Sequence, residues 1–284
     1  MNAAYTQEIE SLKPSSIVKL KDGMFDVYLV SPEYPESLAE RLIREFVKLE
    51  TSVSKITSDN DSSGLGSIAQ THIGRARIAV FHEPGLSPLC LRLCRRGGVI
   101  SKITKRSFFR TSELPRAVAE ISILLKLRAA GFLVPKPVAA LVRPGLFSLR
   151  YRAAVVTESI LGAENFLALI SAGDSRAKGE NLFSVCREVG VLAKKLLLEK
   201  VYHPDLHLGN VLLDHSGSIF LIDFDKSCLI SESQHKHFEQ RLIDRWSRSA
   251  RKHLSRTLAD SDLASRAIEE FCQGIRGKSH VSRK

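Results

Sequence analysis

Several kinds of segment are missing from this sequence, and each absence excludes a class of protein. No stretch approaches about 18 consecutive apolar residues, so no segment is expected to span a membrane. The N-terminal residues lack the basic-then-apolar order of a secretory signal. The five cysteines form no C-x-x-C pair and are odd in number, which argues against a disulfide framework and against a zinc site. Together these absences predict a protein of a reducing cytoplasm, whose contact with a membrane is peripheral at most.

Acidic residues are outnumbered by basic ones. The chain contains 42 Lys and Arg against 31 Asp and Glu, which gives a formal net charge of +11 at pH 7. Such an excess favours an anionic partner, which is a nucleotide, an anionic lipid surface or a nucleic acid. With 284 residues, of which 44% are hydrophobic, the chain is long enough to bury a large core. It is expected to fold as one bilobal unit or as two small domains.

The most informative stretch of the sequence is residues 202–226. It contains two short apolar runs, 211–213 and 219–222, which are separated by the turn-forming residues Asp214-His-Ser-Gly-Ser. Apolar runs of this length around a turn of this composition predict a β-hairpin. Because a hairpin brings its two ends together, the residue before its first strand and the residue after its second strand are expected to be neighbours.

Three polar residues stand at the ends of this predicted hairpin. Asn210 directly precedes the first strand, Asp223 follows the second strand, and Asp205 lies on the loop just before them. Mg²⁺ prefers hard oxygen ligands, which a side-chain amide and a carboxylate supply. A second carboxylate nearby can accept the proton of an attacking hydroxyl. We therefore predict phosphoryl-transfer chemistry, with Asp205 as the catalytic base and with Asn210 and Asp223 as metal ligands.

The same stretch resembles two motifs of kinase-like enzymes. The run from His203 to Asn210, His-Pro-Asp-Leu-His-Leu-Gly-Asn, is similar to the H-x-D-x-x-x-x-N catalytic loop. The run from Ile222 to Phe224 is similar to the metal-binding segment, hydrophobic-D-F. Both motifs occur in the order and at the spacing of that superfamily. The resemblance implies an α+β protein-kinase-like fold with two lobes, a small antiparallel-sheet N-lobe and a helical C-lobe, and implies ATP and Mg²⁺ as cofactors.

This resemblance also implies a cation on the third strand of the N-lobe and a carboxylate on the helix that follows. Arg92 alternates with its apolar neighbours as a strand residue should, and its planar guanidinium can bind phosphate, although kinases normally use Lys here. Glu120 lies beside the apolar stripe of a helix predicted for residues 113–130. A Glu at such a position is often a solvated flank residue. In the kinase-like context we predict that Glu120 pairs with Arg92 to anchor the nucleotide phosphates.

The segment expected to cover the phosphates lacks the glycines of a G-x-G-x-x-G loop. The best candidate is Gly74-Arg75-Ala76-Arg77, with Gly64 and Gly66 as a weaker one. Without those glycines the backbone cannot approach phosphate closely. The hypothesis is therefore that Gly74 and Arg75 bind the nucleotide, with Arg75 or Arg77 substituting for the missing glycines, and the alternative is a plain hairpin turn.

Two basic segments allow more than one interpretation. Residues 92–110 carry seven basic residues and no acidic one, interleaved with aliphatic and aromatic residues. Such a run is either a solvated face or a surface that lies on an anionic membrane. Residues 234–258 predict a basic helix or two, for which a packed helix with a hydrated basic face is the favoured interpretation.

The rest of the chain is divided by its composition. An amphipathic helix is predicted for residues 37–49, where Ser37 and Glu40 form a capping-box pattern. Another helix is predicted for residues 183–200. The predicted domains are an N-terminal extension 1–67, partly belonging to the N-lobe, a kinase-like N-lobe 68–157 and a kinase-like C-lobe 158–284.

Further motifs resemble one branch of the kinase-like superfamily, the bacterial 3-deoxy-D-manno-octulosonic acid (Kdo) kinases, which group with the lipopolysaccharide core heptose kinases. The similarity covers about residues 68–258. Its distinctive parts are Leu91-Arg-Leu-Cys-Arg-Arg-Gly-Gly98, Arg116-Ala-Val-Ala-Glu120, the run from Gly131 to Ala140, and Leu221-Ile-Asp-Phe-Asp-Lys226. The first run and the D-F-D ending are absent from ordinary protein kinases. His207 departs from the family, which more often carries Asn at that position.

This resemblance implies ATP-dependent phosphorylation of a hydroxyl of Kdo on a lipid A precursor, at the cytoplasmic face of the bacterial inner membrane. The implied partners are a Kdo–lipid A type glycolipid acceptor and, through peripheral contact, an anionic membrane surface. Neither a nucleic acid nor a stable protein partner is implied. Two alternatives stay open: a kinase of another acceptor, such as a core heptose, a small molecule or a protein, and a non-catalytic pseudokinase that binds anionic lipid. A nucleic-acid binder is suggested by net charge alone and has no motif in its favour.

Overall fold

The structure is a computed structural model, and the residues that it describes are 17–30, 32–55, 78–94, 108–109, 114–145, 150–257 and 261–277. These residues belong to two compact units. The first lies within Met1–Lys126 and Pro135–Ser159, and the second lies within Leu127–Val134 and Ile160–Lys284.

The first unit is built on one antiparallel sheet. Its strands are β1 (Ile17–Asp22), β2 (Phe25–Val30), β3 (Ile78–Phe81), β4 (Leu89–Leu93), β5 (Phe108–Phe109), β6 (Pro137–Pro144) and β7 (Arg150–Glu158). Their order across the sheet is β1-β2-β6-β7-β4-β3, and β5 pairs with β7. The strands β1 and β2, which come from the predicted N-terminal extension, pair in the same sheet as β4, the strand that carries Arg92.

The helix α1 (Leu38–Lys55) packs its apolar stripe against this sheet. The stripe recurs every three or four residues, as a helix with one buried face requires, and consists of Leu38, Leu42, Phe46 and Leu49. The helix ends six residues later than predicted. Tertiary contacts support the additional turn. Glu50, just past the predicted end, accepts hydrogen bonds from Arg143 at 2.8 Å and from Arg152 at 3.1 Å, both on strands of the sheet.

The helix α2 (Arg116–Ala129) follows Pro115 and ends at a glycine. The carbonyl of Pro115 accepts hydrogen bonds from the N–H groups of Val118 and Ala119. Gly131 has a φ of +83°, in the left-handed region that glycine adopts without strain, and so ends the helix. The predicted helix over 113–130 is therefore present with a later start.

The second unit is mostly helical. Its helices are α3 (Phe166–Ala172), α4 (Glu180–Leu198), α5 (His235–Thr257) and α6 (Ser261–Arg276). Its strands are β8 (Ala163–Asn165), β9 (Val201–Tyr202), β10 (Val211–Asp214), β11 (Ile219–Leu221) and β12 (Cys228–Leu229). The predicted hairpin is formed by β10 and β11, which pair in antiparallel register, and β8 adds a third strand on the other side of β10.

The helix α6 was not predicted, and it packs closely on α4. Two glycines allow this approach, because a Cβ atom on Gly190 would lie 2.3 Å from the carbonyl oxygen of Phe271, and one on Gly274 would lie 2.1 Å from that of Arg187. Phe271 also stacks on Trp246 of α5, with ring centroids 4.7 Å apart. The helices α4, α5 and α6 therefore share one core.

These elements confirm the predicted α+β class, with an antiparallel sheet toward the N-terminus and a helical part toward the C-terminus. None of the helices in the described ranges has the length and apolar composition that crossing a bilayer requires.

Candidate active site

The hairpin of β10 and β11 brings the predicted metal ligands together. In its register Val211 lies opposite Leu221. One step beyond that pair, the N–H of Ile222 donates a hydrogen bond of 3.1 Å to the carbonyl of Asn210. Asn210 and Asp223 are therefore neighbours at the open end of the hairpin, as the sequence predicted from the spacing of its apolar runs.

The side chain of Asn210 is directed by the catalytic loop. Its Nδ2 atom donates a hydrogen bond of 3.0 Å to the backbone carbonyl of Asp205, and the residue is buried. Asn210 ends a single 3₁₀ turn, Leu208–Asn210, which His207 caps by accepting a hydrogen bond from the N–H of Gly209. The amide nitrogen is a donor only, so the amide oxygen is the atom of Asn210 that can bind a cation, and the hydrogen bond to Asp205 fixes the orientation of the amide.

Asp223 has a left-handed backbone, with a φ of +66°. This conformation costs most non-glycine residues about 1–2 kcal/mol, and Asp is one of the few that adopt it, because its short polar side chain can hydrogen-bond locally. Strained residues of this kind concentrate at functional sites. The residue that follows, Phe224, is buried, and it anchors the segment to the core.

A buried histidine joins the catalytic loop to the segment of Asp223. His203 is fully buried, its Nε2 atom lies 3.0 Å from the carbonyl oxygen of Ile222, and its ring centroid lies 4.5 Å from that of Phe224. Burial lowers the pKa of His203 below its ordinary value. The ring is therefore neutral at pH 7 and can donate from Nε2 to the Ile222 carbonyl.

The carboxylate of Asp205 lies between two cations. Lys226 donates a hydrogen bond to its Oδ2 atom, and the Nε atom of Arg245 lies 3.6 Å from its Oδ1 atom. Partial burial raises the pKa of Asp205, but Lys226 and Arg245 outweigh this effect and leave the pKa below its ordinary value. Asp205 is therefore ionised at neutral pH.

Lys226 and Arg245 were not identified from the sequence as site residues. Lys226 follows the D-F-D motif directly, and this position was the signal that could have found it. Arg245 lies on α5, in a segment whose sequence favours a packed helix with a hydrated basic face. No local pattern connects Arg245 with Asp205, because the contact depends on how α5 packs.

The predicted nucleotide-anchoring pair is formed within the first unit. The Nη2 atom of Arg92, on β4, lies 2.5 Å from the Oε1 atom of Glu120, on α2. Glu120 is buried and Arg92 is largely buried. Arg92 and Glu120 belong to the first unit, whereas Asp205, Asn210 and Asp223 belong to the second. Gly74 and Arg75, predicted to cover the phosphates, lie outside the described residues, as does most of the basic run 92–110.

We predict that His207 makes the stability of the protein depend on pH. Burial, followed by the charge of Arg245, lowers the pKa of His207 from 6.5 to about 4. As the pH falls from about 6.5 towards 4, the unfolded chain takes up a proton that the folded chain does not, so stability is lost in that window. The His207→Asn variant keeps a capping oxygen for the N–H of Gly209 but does not titrate.

Urea unfolding at about pH 7 and pH 5 tests this prediction. Wild type should lose about 1 kcal/mol more stability between these two pH values than His207→Asn, after allowance for the partial exposure of the ring. Equal losses in the two proteins would show that His207 is not the titrating group.

The family of this chain follows from comparison with known proteins. Residues 71–274 match the model of the lipopolysaccharide kinase (Kdo/WaaP) family, and this match spans most of the chain. The chain therefore belongs to the lipopolysaccharide kinase (Kdo/WaaP) family, which confirms the resemblance predicted from its motifs.

Several curated relatives are named 3-deoxy-D-manno-octulosonic acid kinase. The protein of Vibrio vulnificus (strain YJ016) is 36% identical over 138 residues, which are 48% of this chain and 55% of the relative. That of Haemophilus influenzae (strain PittEE) is 31% identical over 170 residues, 58% of this chain and 67% of the relative. The chain thus spans about half the length of the first of these relatives. A solved structure of WaaP in complex with acyl carrier protein aligns with a TM-score of 0.49 and 14% identity, over 76% of this chain and 80% of that one.

Proposed function

We propose that this protein is an ATP-dependent kinase that phosphorylates a hydroxyl of Kdo on a lipid A precursor. Membership of the lipopolysaccharide kinase family supports the reaction class, and the names of the relatives support the acceptor. The observation that carries the proposal is one hydrogen-bonded network. In it the amide of Asn210 binds the backbone of Asp205, while the backbone of Asn210 binds the strand end that leads into Asp223.

The proposed role of Asp205 is to orient the acceptor hydroxyl and to accept its proton. The side chain is ionised and about one quarter exposed, so it is accessible to a substrate. Because Asn210 holds its backbone and Lys226 and Arg245 hold its carboxylate, little reorganisation is needed when the acceptor binds. Phosphoryl transfer depends largely on such positioning and on charge stabilisation.

The residues at the hairpin end fit a magnesium ion. Asn210 offers an amide oxygen and Asp223 a carboxylate, the hard donors that Mg²⁺ prefers. When bound there, the ion supplies positive charge to the oxygens of the transferred phosphoryl group. Within the described residues no group of three or more His, Cys, Asp or Glu is placed to hold a metal. A site with few protein donors suits Mg²⁺, which usually keeps several waters and binds substrate phosphates.

Arg92 is proposed to bind the nucleotide phosphates, with Glu120 fixing its orientation. We expect Glu120→Gln to weaken ATP binding about tenfold, because the neutral amide no longer holds the guanidinium by charge. Fluorescent-nucleotide titration measures this affinity. Glu40→Gln is the matched control, since it makes the same replacement in an exposed ion pair of the same unit. Equal affinities for the Glu120 variant and wild type would remove Arg92 and Glu120 from the nucleotide site.

The proposed acceptor is a glycolipid, and the proposed place of reaction is the cytoplasmic face of the bacterial inner membrane, where the protein binds peripherally. The net charge of +11 supports attraction to an anionic lipid surface. The reaction at this face would use ATP from the cytoplasm.

An acceptor competition tests the proposal. Kdo–lipid A precursor and a heptose-bearing core acceptor are offered in equal amounts with ATP and Mg²⁺, and the products are analysed by mass spectrometry. We expect the mass of one phosphate to be added to the Kdo acceptor, with fragmentation that locates it on Kdo. Phosphate on the heptose alone would contradict the acceptor, and phosphate on neither acceptor would contradict the function.

A further inference from the structure

Four basic residues form a line along the helix α5. They are spaced by four, three and four residues, and are Arg241, Arg245, Arg248 and Lys252. At about 100° of rotation per residue this spacing places them within an arc of about 60° on one side of the helix. We refer to these four residues as the α5 stripe. Leu242 and Trp246 of the same helix are buried.

One end of the α5 stripe reaches the candidate active site. Arg245 lies 3.6 Å from the carboxylate of Asp205. One turn earlier, the guanidinium of Arg241 lies 5.5 Å from the ring centroid of Tyr202 and 5.6 Å from that of Phe238. Such cation–π contacts keep a charged group in place without neutralising it. This end of the stripe is therefore held next to the proposed catalytic base.

The other end of the α5 stripe is exposed. Arg248 and Lys252 are both open to solvent, and within the described part of the chain the structure records no ion pair for either. Like charges four residues apart, as at Arg248 and Lys252, destabilise a helix by a few tenths of a kcal/mol. An anion bound along the stripe would offset the repulsion between Arg248 and Lys252.

We infer that the α5 stripe binds the phosphate and carboxylate groups of the glycolipid head group and thereby presents the acceptor hydroxyl to Asp205. This inference rests on the proposed function and names the surface that recognises its acceptor. From Arg245 to Lys252 the helix rises about 10 Å, a length that matches anionic groups distributed over neighbouring sugar rings. Guanidinium and ammonium groups form strong charge-assisted hydrogen bonds with phosphate and carboxylate. A single line of cations that passes beside the proposed catalytic carboxylate favours one extended anionic substrate over general attraction to a membrane.

The test compares two double variants that each remove two positive charges from the second unit. Arg248→Gln with Lys252→Gln alters the α5 stripe, and Lys178→Gln with Lys195→Gln alters exposed residues elsewhere. We expect the stripe variant to raise the KM for Kdo–lipid A precursor by about tenfold or more, with kcat and the KM for ATP unchanged, because binding to the ground state and to the transition state is lost equally. The control variant should match wild type in all three constants. Equal KM values for the two variants would overturn the inference.

A binding measurement without ATP separates this inference from the proposed function. Flotation with phosphatidylethanolamine vesicles that contain the Kdo–lipid A precursor should recover less of the stripe variant than of wild type or the control. The same deficit on phosphatidylglycerol vesicles without the precursor would overturn head-group recognition in favour of general membrane charge. If wild type transfers no phosphate to Kdo, the proposed function fails, while the flotation result still decides whether the stripe binds this glycolipid.

Discussion

Replacing Asp205 by Asn is expected to lower the rate of phosphate transfer by about 10³-fold, because the reaction loses the carboxylate that orients and deprotonates the acceptor. The amide has nearly the shape of the carboxylate, and the backbone carbonyl that binds Asn210 is unchanged. The fold and the two proposed metal ligands should therefore be preserved. ATP affinity should stay within about twofold of wild type, since only a step that involves the acceptor is affected. Initial rates with radiolabelled ATP and nucleotide titration measure the two effects.

Asp244→Asn is the matched control for this experiment. Asp244 is an exposed aspartate on α5, the helix that also carries Arg245, and it accepts a hydrogen bond from Gln240. Its variant should retain the wild-type rate. Full activity of Asp205→Asn would show that another group is the base, and an equal loss of ATP affinity and rate would show that Asp205 acts in nucleotide binding.

Replacing Gly190 by Ala is expected to destabilise the second unit by about 2–3 kcal/mol. Intrinsic helix propensity alone predicts the opposite sign, since Ala in a helix is more favourable than Gly by up to about 1 kcal/mol. The reversal comes from packing. The new methyl group would lie 2.3 Å from the carbonyl oxygen of Phe271 and 3.0 Å from the backbone nitrogen of Ile275. These are backbone atoms of α6, so α4 and α6 must move apart to admit it.

Thermal and urea unfolding of Gly190→Ala measure this effect, with Glu188→Ala as the control. Glu188 is an exposed residue of the same helix, so its replacement tests propensity without changing the contact with α6. The control should stay within about 0.5 kcal/mol of wild type. An increase in stability for Gly190→Ala would show that the two helices do not approach as closely as the structure has them.

The part of the site that lies on the hairpin could be predicted from the sequence, because the spacing of its two apolar runs indicates where the strands begin and end. Two short apolar runs around a turn specify a hairpin, and a hairpin fixes which residues meet at its open end. Asn210 and Asp223 therefore follow from local pattern alone. The pair of Arg92 and Glu120 could not be predicted from local pattern alone, because β4 and α2 are far apart in sequence. The kinase-like resemblance supplied that contact, and the structure contains it.

Contacts that depend on tertiary packing and belong to no recognised motif could not be predicted. Arg245 meets Asp205 only because α5 packs beside the catalytic loop, and no periodicity in α5 indicates which of its cations will do so. The end of α1 is similar, since the ion pairs of Glu50 with strand residues support an additional turn.

The helix α6 is a different case, because its sequence did contain a signal. Ala264, Ala267, Phe271 and Ile275 recur at helical spacing and are all buried, so a helix could have been predicted there. The phosphate contacts assigned to Gly74 and Arg75 stay predictions, as do the domain boundaries and the membrane contact of residues 92–110.

We propose that the protein transfers a phosphoryl group from ATP to Kdo by means of the residues around Asp205. The most direct test of this proposal is incubation of the protein with γ-labelled ATP, Mg²⁺ and Kdo–lipid A precursor, beside the Asp205→Asn variant and a reaction without acceptor. We expect label in the glycolipid with wild type, and almost none with the variant or in the absence of acceptor. Binding of ATP by wild type without any label in the glycolipid would contradict the proposal.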